Sequence, residues 1–367
     1  MKFLLYTDPH FCSTSSILRA KGKVFSYRIE NLLTTLDWIN NLAKERQCDE
    51  IVCLGDFFEN PNLNAEEITA VSTANIGHHK FIVGNHDAIT NNLLFNSANA
   101  LKSQGANIID KPTLKEYDNF QIIYLPYVSE WDKVTIAELK KKLGASDKKT
   151  IILSHNNLKD VAYGGYLSKE GYAIKDITDN CALFVNGHIH NGGWFGNNKV
   201  LNLGSLTGIN FNNDANIWRP CIAIIDTNDF TIETIPNPYA FLFYKYDFSK
   251  TPKEHYIDTI RAELNKLDKN MLNVVSIKID SEFLNDVNNL LEELDDLFYY
   301  KRVLLDYSRQ REELSQNVEV VVSEKETILS TNTDYVQKFA DFVALKMSST
   351  DGNYKIMLEE IEGLRWI

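Results

Sequence analysis

The sequence predicts an α/β layered protein that carries its chemistry at strand ends, and three observations point there. Short apolar runs recur up to Ile225, an amphipathic helical stretch separates the first two, and five of the eight histidines directly follow such runs. Alternating strand and helix implies helices layered on a sheet. Open α/β sheets place their chemistry at the carboxyl ends of strands.

The apolar runs are Lys2 to Thr7, Glu50 to Leu54, Lys80 to Val83, Gln121 to Leu125, Thr150 to Leu153, Ala182 to Val185, Val200 to Leu203 and Cys221 to Ile225. Each reads as a buried strand. Between the first two, Ile29 to Arg46 reads as a helix, with Ile29, Leu32, Leu33, Leu36, Ile39 and Leu42 at three- and four-residue spacing. Pro236-Asn237-Pro238 interrupts this pattern, so residues 1–238 are assigned to the catalytic domain.

A smaller α/β domain follows over residues 239–307. It comprises a strand from Phe241 to Asp247, a helix with Ile257, Ile260, Leu264 and Leu267 on one face, and a strand with Val275, Ile277 and Ile279 inward. A second helix carries Leu284, Val287, Leu291, Leu294 and Phe298, and a strand lies near Val303 to Leu305. Residues 308–330 are polar apart from Val318 to Val322 and read as a linker. Two helices within 331–367 carry apolar stripes, Val336, Phe339, Ala340, Val343 and Met347, then Tyr354, Met357, Ile361 and Leu364. Packing on their own domain and docking to a partner account for the stripes equally well.

At 367 residues the chain is long enough for one large core and a second unit. Its 44% apolar and 24% charged residues, with 8 prolines, are those of a folded globular protein. The net charge of −12 argues against a surface that binds nucleic acid everywhere, leaving local Lys and Arg residues or bound cations for that task. The cysteines Cys12, Cys48, Cys53, Cys181 and Cys221 form no Cys-x-x-Cys pair and read as free thiols in a reducing compartment. The apolar start, Lys2 to Thr7, is too short for a signal peptide, and no stretch reaches transmembrane length. The expected location is the cytoplasm, with no membrane partner.

Five polar segments follow the apolar runs: Asp8-Pro9-His10, Gly55-Asp56, Gly84-Asn85-His86-Asp87, Ser154-His155-Asn156 and Gly187-His188-Ile189-His190. They offer imidazole, carboxylate and amide oxygen without thiolate, a set suited to manganese, iron or zinc. On an extended segment Asp-x-His and His-x-His would present both side chains to one side. A carboxylate can bridge two cations roughly 3.5–4 Å apart, and Asp56 is the candidate bridge. Gly55, Gly84 and Gly187 fit tight turns at the strand exits. His78, His79 and His255 are expected at the surface.

This series resembles the calcineurin-like metallophosphoesterases, over residues 8 to 190. The resemblance implies a β-sandwich flanked by helices and two divalent metal ions, Mn2+ first, with Mg2+, Fe2+ or Zn2+ as alternatives. One ion would take Asp8, His10, Asp56 and His190, the other Asp56, Asn85, His155 and His188. His86 would approach the scissile phosphate as the general acid, with Asp87 orienting or polarising it. Relatives usually continue Gly-Asp-x-x-Asp, whereas this chain reads Gly55-Asp56-Phe57-Phe58-Glu59.

The domain order is similar to the SbcD and Mre-eleven type of DNA repair and recombination nuclease, as is Leu203-Gly204-Ser205-Leu206-Thr207 with Asp214 and Arg219-Pro220, especially in bacteriophage versions. That likeness implies a metal-dependent exonuclease and endonuclease, a homodimer, a DNA-facing capping domain, and C-terminal helices that bind an SbcC or Rad-fifty type coiled-coil ABC ATPase. No Gly-x-x-x-x-Gly-Lys loop is present, so ATP dependence would belong to the partner. Lys21, Lys23 and Arg28 are candidate DNA contacts, equally readable as a solvated charge run. The competing expectations are a nucleotide or small-molecule phosphodiesterase and, ranked below it, a non-catalytic scaffold.

Overall fold

The computed structural model of the chain describes residues 1–14, 24–90, 92–129, 133–163 and 166–309. Lys21, Lys23, nearly all of the expected linker and both expected terminal helices lie outside them.

The first strands are β1 (Lys2–Tyr6), β2 (Glu50–Cys53), β3 (Lys80–Ile82), β4 (Asn107–Ile109), β5 (Thr113–Glu116), β6 (Phe120–Leu125) and β7 (Lys149–Ser154). After them come β8 (Leu183–Asn186), β9 (Gly193–Phe195), β10 (Val200–Asn202), β11 (Cys221–Asp226) and β12 (Thr231–Pro236). They build two six-stranded sheets, ordered β12-β11-β1-β2-β3-β4 and β9-β10-β8-β7-β6-β5. The central strands of each sheet run parallel; antiparallel strands close both edges of the second sheet and the β11-β12 edge of the first, whose other edge, β4, is parallel to β3.

Alternation along β1 shows how the layers form. Phe3 and Leu5 face the second sheet with Val52, Leu54, Tyr124, Ile151, Leu153 and Val185, while Leu4 and Tyr6 face the opposite way. There they meet Ile29, Leu32, Leu36 and Ile39 of helix α1 (Tyr27–Glu45). Strands buried on both faces read as continuous apolar runs, which is why periodicity located them but could not assign their faces. The second sheet's outer face packs on helices at Ile136–Leu143 and Ile174–Asn180. The result is a helix-flanked β-sandwich rather than one open sheet.

A three-stranded sheet follows, formed by Phe241–Asp247, Leu272–Asp280 and Tyr300–Asp306. One face packs Val275, Ile277 and Ile279 on two helices, Tyr256–Leu264 and Leu284–Glu293. From the other face Phe241, Phe243 and Val274 meet Tyr27 and Phe211, and Tyr27 stacks on Tyr299 with centroids 5.4 Å apart. Residues Met1–Leu305 thus cohere as one unit. Among the described residues no helix is long and apolar enough to cross a membrane.

His79 corrects an expectation. It is buried, with Nδ1 3.0 Å from the Tyr6 hydroxyl and Nε2 2.8 Å from Asn40 Oδ1, so it joins β1, β3 and α1 from inside. His78 and His255 are exposed as expected. Arg28 is also buried, at 2% exposure, which removes it as a surface contact for DNA phosphates. Its guanidinium donates to the His10 and Pro9 carbonyls and to Cys12 Sγ, bracing the first motif from beneath.

Candidate metal centre

The polar segments converge where the parallel strands of both sheets end. Backbone bonds tie the first two together: Asp8 N–H donates to the Gly55 carbonyl, His10 N–H to that of Asp56, and Phe11 N–H to that of Phe57. A chain of buried amides binds the others. Asn156 Nδ2 donates to the Pro126 carbonyl, Asn186 Nδ2 to that of Asn156 and to Asn202 Oδ1, and Asn202 Nδ2 to that of Ile189.

The segments are not extended as expected. Asp8, His10, Asp56 and His188 have φ of 50°, 46°, 47° and 76°, in the left-handed region that side chains with a Cβ seldom occupy. Such strain persists only where surrounding contacts overdetermine it, and it clusters at functional sites. The glycines also act differently from the tight-turn expectation. Only Gly55 of the three has positive φ; a Cβ on Gly84 would lie 2.1 Å from Asp56 Oδ1, and one on Gly187 would lie 2.1 Å from Thr7 Oγ1.

Three groups of ligand atoms gather among the described residues, Asp8 with His10 and His190, Asp56 with His155 and His188, and His10 with Glu59 and His86, the atoms of each lying within 4.8 Å of one another. Asp8 Oδ2 accepts from Thr7 Oγ1 at 2.5 Å and from His188 N–H at 3.0 Å, whereas the buried Oδ1 has no hydrogen-bond partner. That free oxygen lies 3.7 Å from Nε2 of both His10 and His190. His155 Nδ1 donates to the Leu54 carbonyl, which leaves Nε2 facing Asp56 Oδ2 at 3.0 Å, out of line for a hydrogen bond.

His188 makes the same point. Its Nδ1 lies 2.8 Å from Asn85 Oδ1 and its Nε2 lies 2.9 Å from Asn157 Oδ1. A neutral imidazole carries one proton, so one of these contacts sets lone pair against lone pair. A cation taken up by His188 and Asn85 would remove the conflict, with Nε2–H left to donate to Asn157. The lone pairs turned inward and the thiolate-free donor set therefore fit divalent cations.

Electrostatics agree. Burial opposes the charge on Asp8 and Asp56, but the nearby histidines, His155 first, overcome it and hold Asp8 down to about 2 and Asp56 lower still. Burial likewise opposes protonation of His10 and His155, yet Asp8 with Glu59 raises the first to about 10, and Asp56 with Asp8 raises the second to about 9. Burial drives His188 and His190 down to about 4, so both rings are neutral near pH 7. Protons on His10 and His155 are what cations would displace.

His86 stands beside the first group, its ring centroid 4.8 Å from that of His10. Its N–H donates to Asp56 Oδ1 at 2.8 Å, and its Nδ1 donates to the Glu59 carbonyl at 3.0 Å. Asp87 is expected to orient or polarise that ring, yet among the described residues no hydrogen bond joins the two side chains. The Asp87 carboxylate instead accepts from the N–H groups of Phe58 and Gly84. Burial and the Asp56 charge push Asp87 up to about 6.

Sequence reasoning missed Asn157, Thr7, the Asn156-Asn186-Asn202 chain and the buried role of Arg28. The run Ser154-His155-Asn156-Asn157 held a signal for the first, since consecutive polar residues at a buried strand end need partners.

A helix-flanked β-sandwich with paired nitrogen and oxygen ligand groups at its strand ends defines a metal-dependent hydrolase. The sequence pattern of the calcineurin-like phosphoesterases matches residues 1–192, more than half of the 367-residue chain, and the chain belongs to that family. No curated protein matches it. Among solved structures it is similar to a dimetal phosphatase from Danio rerio, at 14% identity and a TM-score of 0.40, covering 64% of this chain and 95% of that one. It is also similar to the nuclease MPE of Pseudomonas putida, at 18% identity and a TM-score of 0.26, covering 47% and 72% respectively.

Proposed function

We propose that this phosphoesterase is a DNA nuclease, cleaving phosphodiesters as exonuclease and endonuclease with two manganese ions. The observation that carries a phosphodiester reading is the placement of His86 beside two inward-facing ligand groups. When bound, two cations supply an activated water and charge stabilisation for the leaving oxygen. The first group, Asp8, His10 and His190, and the second, Asn85, His155 and His188, would hold them with Asp56 between.

His86 acts outside both groups. Its Nδ1 proton is committed to the Glu59 carbonyl, which leaves Nε2 to hold the proton for the departing oxygen. Asp87 keeps the Gly84-to-His86 turn against Phe58, so its part is to hold the turn that carries the acid.

DNA as substrate is supported by the order of parts. Residues 1–238 would be catalytic, 239–307 would cap the site, 308–330 would link, and 331–367 would dock a coiled-coil ABC ATPase of the SbcC or Rad-fifty type, with two copies forming a homodimer in the cytoplasm. The test is digestion of linear duplex and single-stranded DNA with manganese, using Asp8→Ala and His86→Ala proteins as contamination controls. Manganese-dependent cleavage lost in both variants is expected. Turnover of cyclic nucleotides without DNA cleavage would favour a small-molecule phosphodiesterase instead, and failure to bind any metal would leave a scaffold.

A further inference from the structure

We propose that Glu59 is the positioning residue that sets both histidines of the reaction centre, His10 by its side chain and His86 by its backbone. This rests on the metal-dependent phosphoesterase reading, not on DNA as the substrate.

Three contacts meet at Glu59. Its N–H donates to the Phe11 carbonyl at 3.4 Å, pinning it to the strand-end segment that carries His10. Its Oε2 lies 2.7 Å from His10 Nδ1, and its carbonyl accepts from His86 Nδ1 at 3.0 Å. Ligand atoms of His10, Glu59 and His86 all lie within 4.8 Å of one another.

The consequence is chemical. A carbonyl oxygen can only accept, so His86 must carry its proton on Nδ1 and present Nε2 to the substrate. The Glu59 carboxylate beside His10 Nδ1 likewise favours a proton on that nitrogen, so the proton a cation would displace is the one on Nε2, which lies 3.0 Å from His190 Nε2. Carboxylates and carbonyls behind metal-bound imidazoles fix the ring and raise its basicity. The side chain must be Glu for this purpose, because an Asp carboxylate would stop one methylene short of His10.

The experiment uses full-length Glu59→Gln, Glu59→Asp and Glu59→Ala proteins. Calorimetric manganese titration should show affinity at one site weakened about 10–100-fold in the Ala and Asp variants and less in Gln, which keeps an acceptor. Nitrogen-15 NMR of histidine-labelled, metal-free protein should show His10 nitrogens shifted in Glu59→Ala, with His86 still protonated at Nδ1 in every variant. Circular dichroism confirms folding, and the isosteric Gln variant keeps the comparison usable if Ala unfolds.

Unchanged manganese affinity with unshifted His10 nitrogens would overturn the side-chain role. A His86 proton found on Nε2 in the wild type would overturn the backbone role. Loss of DNA as substrate changes neither readout.

Discussion

Gly84 lies against the carboxylate of Asp56 so closely that a Cβ there would sit 2.1 Å from Oδ1 and 2.4 Å from the Asp56 backbone nitrogen. The third motif is therefore built into the second, and the Asp56 carboxylate is held from behind by a residue without a side chain. Gly84→Ala must move one or the other. Overpacking of this kind costs about 1–3 kcal/mol, and a misplacement near 1 Å lowers turnover about 100-fold. Urea unfolding and bis-para-nitrophenyl phosphate hydrolysis measure the two. A variant with normal turnover would show that Asp56 needs no such backing.

His86→Ala should retain metal while losing about 100- to 10,000-fold in kcat on DNA, the range for removal of a general acid. The loss should shrink on para-nitrophenyl esters, whose leaving group needs little help from a proton. Equal losses on both substrates would point to phosphate binding rather than proton donation.

The metal-free protein should be most stable near pH 6.5. His10 and His155 are raised from 6.5 to about 10 and about 9, so their contribution is full below pH 6.5 and lost as pH climbs through those values. On the acid side His188 and His190 are lowered to about 4 and His79 to about 3, so stability falls below pH 6.5 as the unfolded chain protonates these rings and the folded one does not. Asp8 and Asp56, lowered from 3.8, extend that fall toward pH 2, while Asp87, raised to about 6, opposes it between pH 6 and 3.8. Manganese should displace the protons of His10 and His155 and flatten the alkaline limb. Denaturant midpoints across pH, with and without manganese, test this; identical alkaline limbs would refute it.

Arg28→Met should destabilise the protein by about 2–3 kcal/mol, because it strands the His10 and Pro9 carbonyls once served by a charged donor. The salt dependence of DNA binding should stay unchanged, since a buried guanidinium neutralises no phosphate. A shallower salt slope would return Arg28 to the DNA surface.

Much of this protein was legible before folding was considered. The strands at Lys2–Tyr6, Glu50–Cys53 and Cys221–Asp226 end within a residue or so of the apolar runs that predicted them, because burial on both faces demands uninterrupted apolar side chains. Asp8, His10, Asp56, His155, His188 and His190 gather as ligand groups and Asn85 meets His188, since a strand end is a local feature that sequence records, whereas the Asp87 carboxylate turns to the Phe58 and Gly84 N–H groups.

Tertiary structure decided the rest. Whether a histidine lies in the centre, like His10, or in the core, like His79, depended on Tyr6 and Asn40, which are distant in sequence. The left-handed backbone of Asp8 and His188, the inward burial of Arg28 and the partner of Glu59 were likewise set by contacts between separate motifs. By itself the sequence determined which donor atoms gather at the strand ends, because local periodicity and residue chemistry encode that. Which nitrogen of His10, His86 and His155 faces the centre was decided only by tertiary packing, because the acceptor beside each ring, Glu59 or Leu54, comes from another strand end.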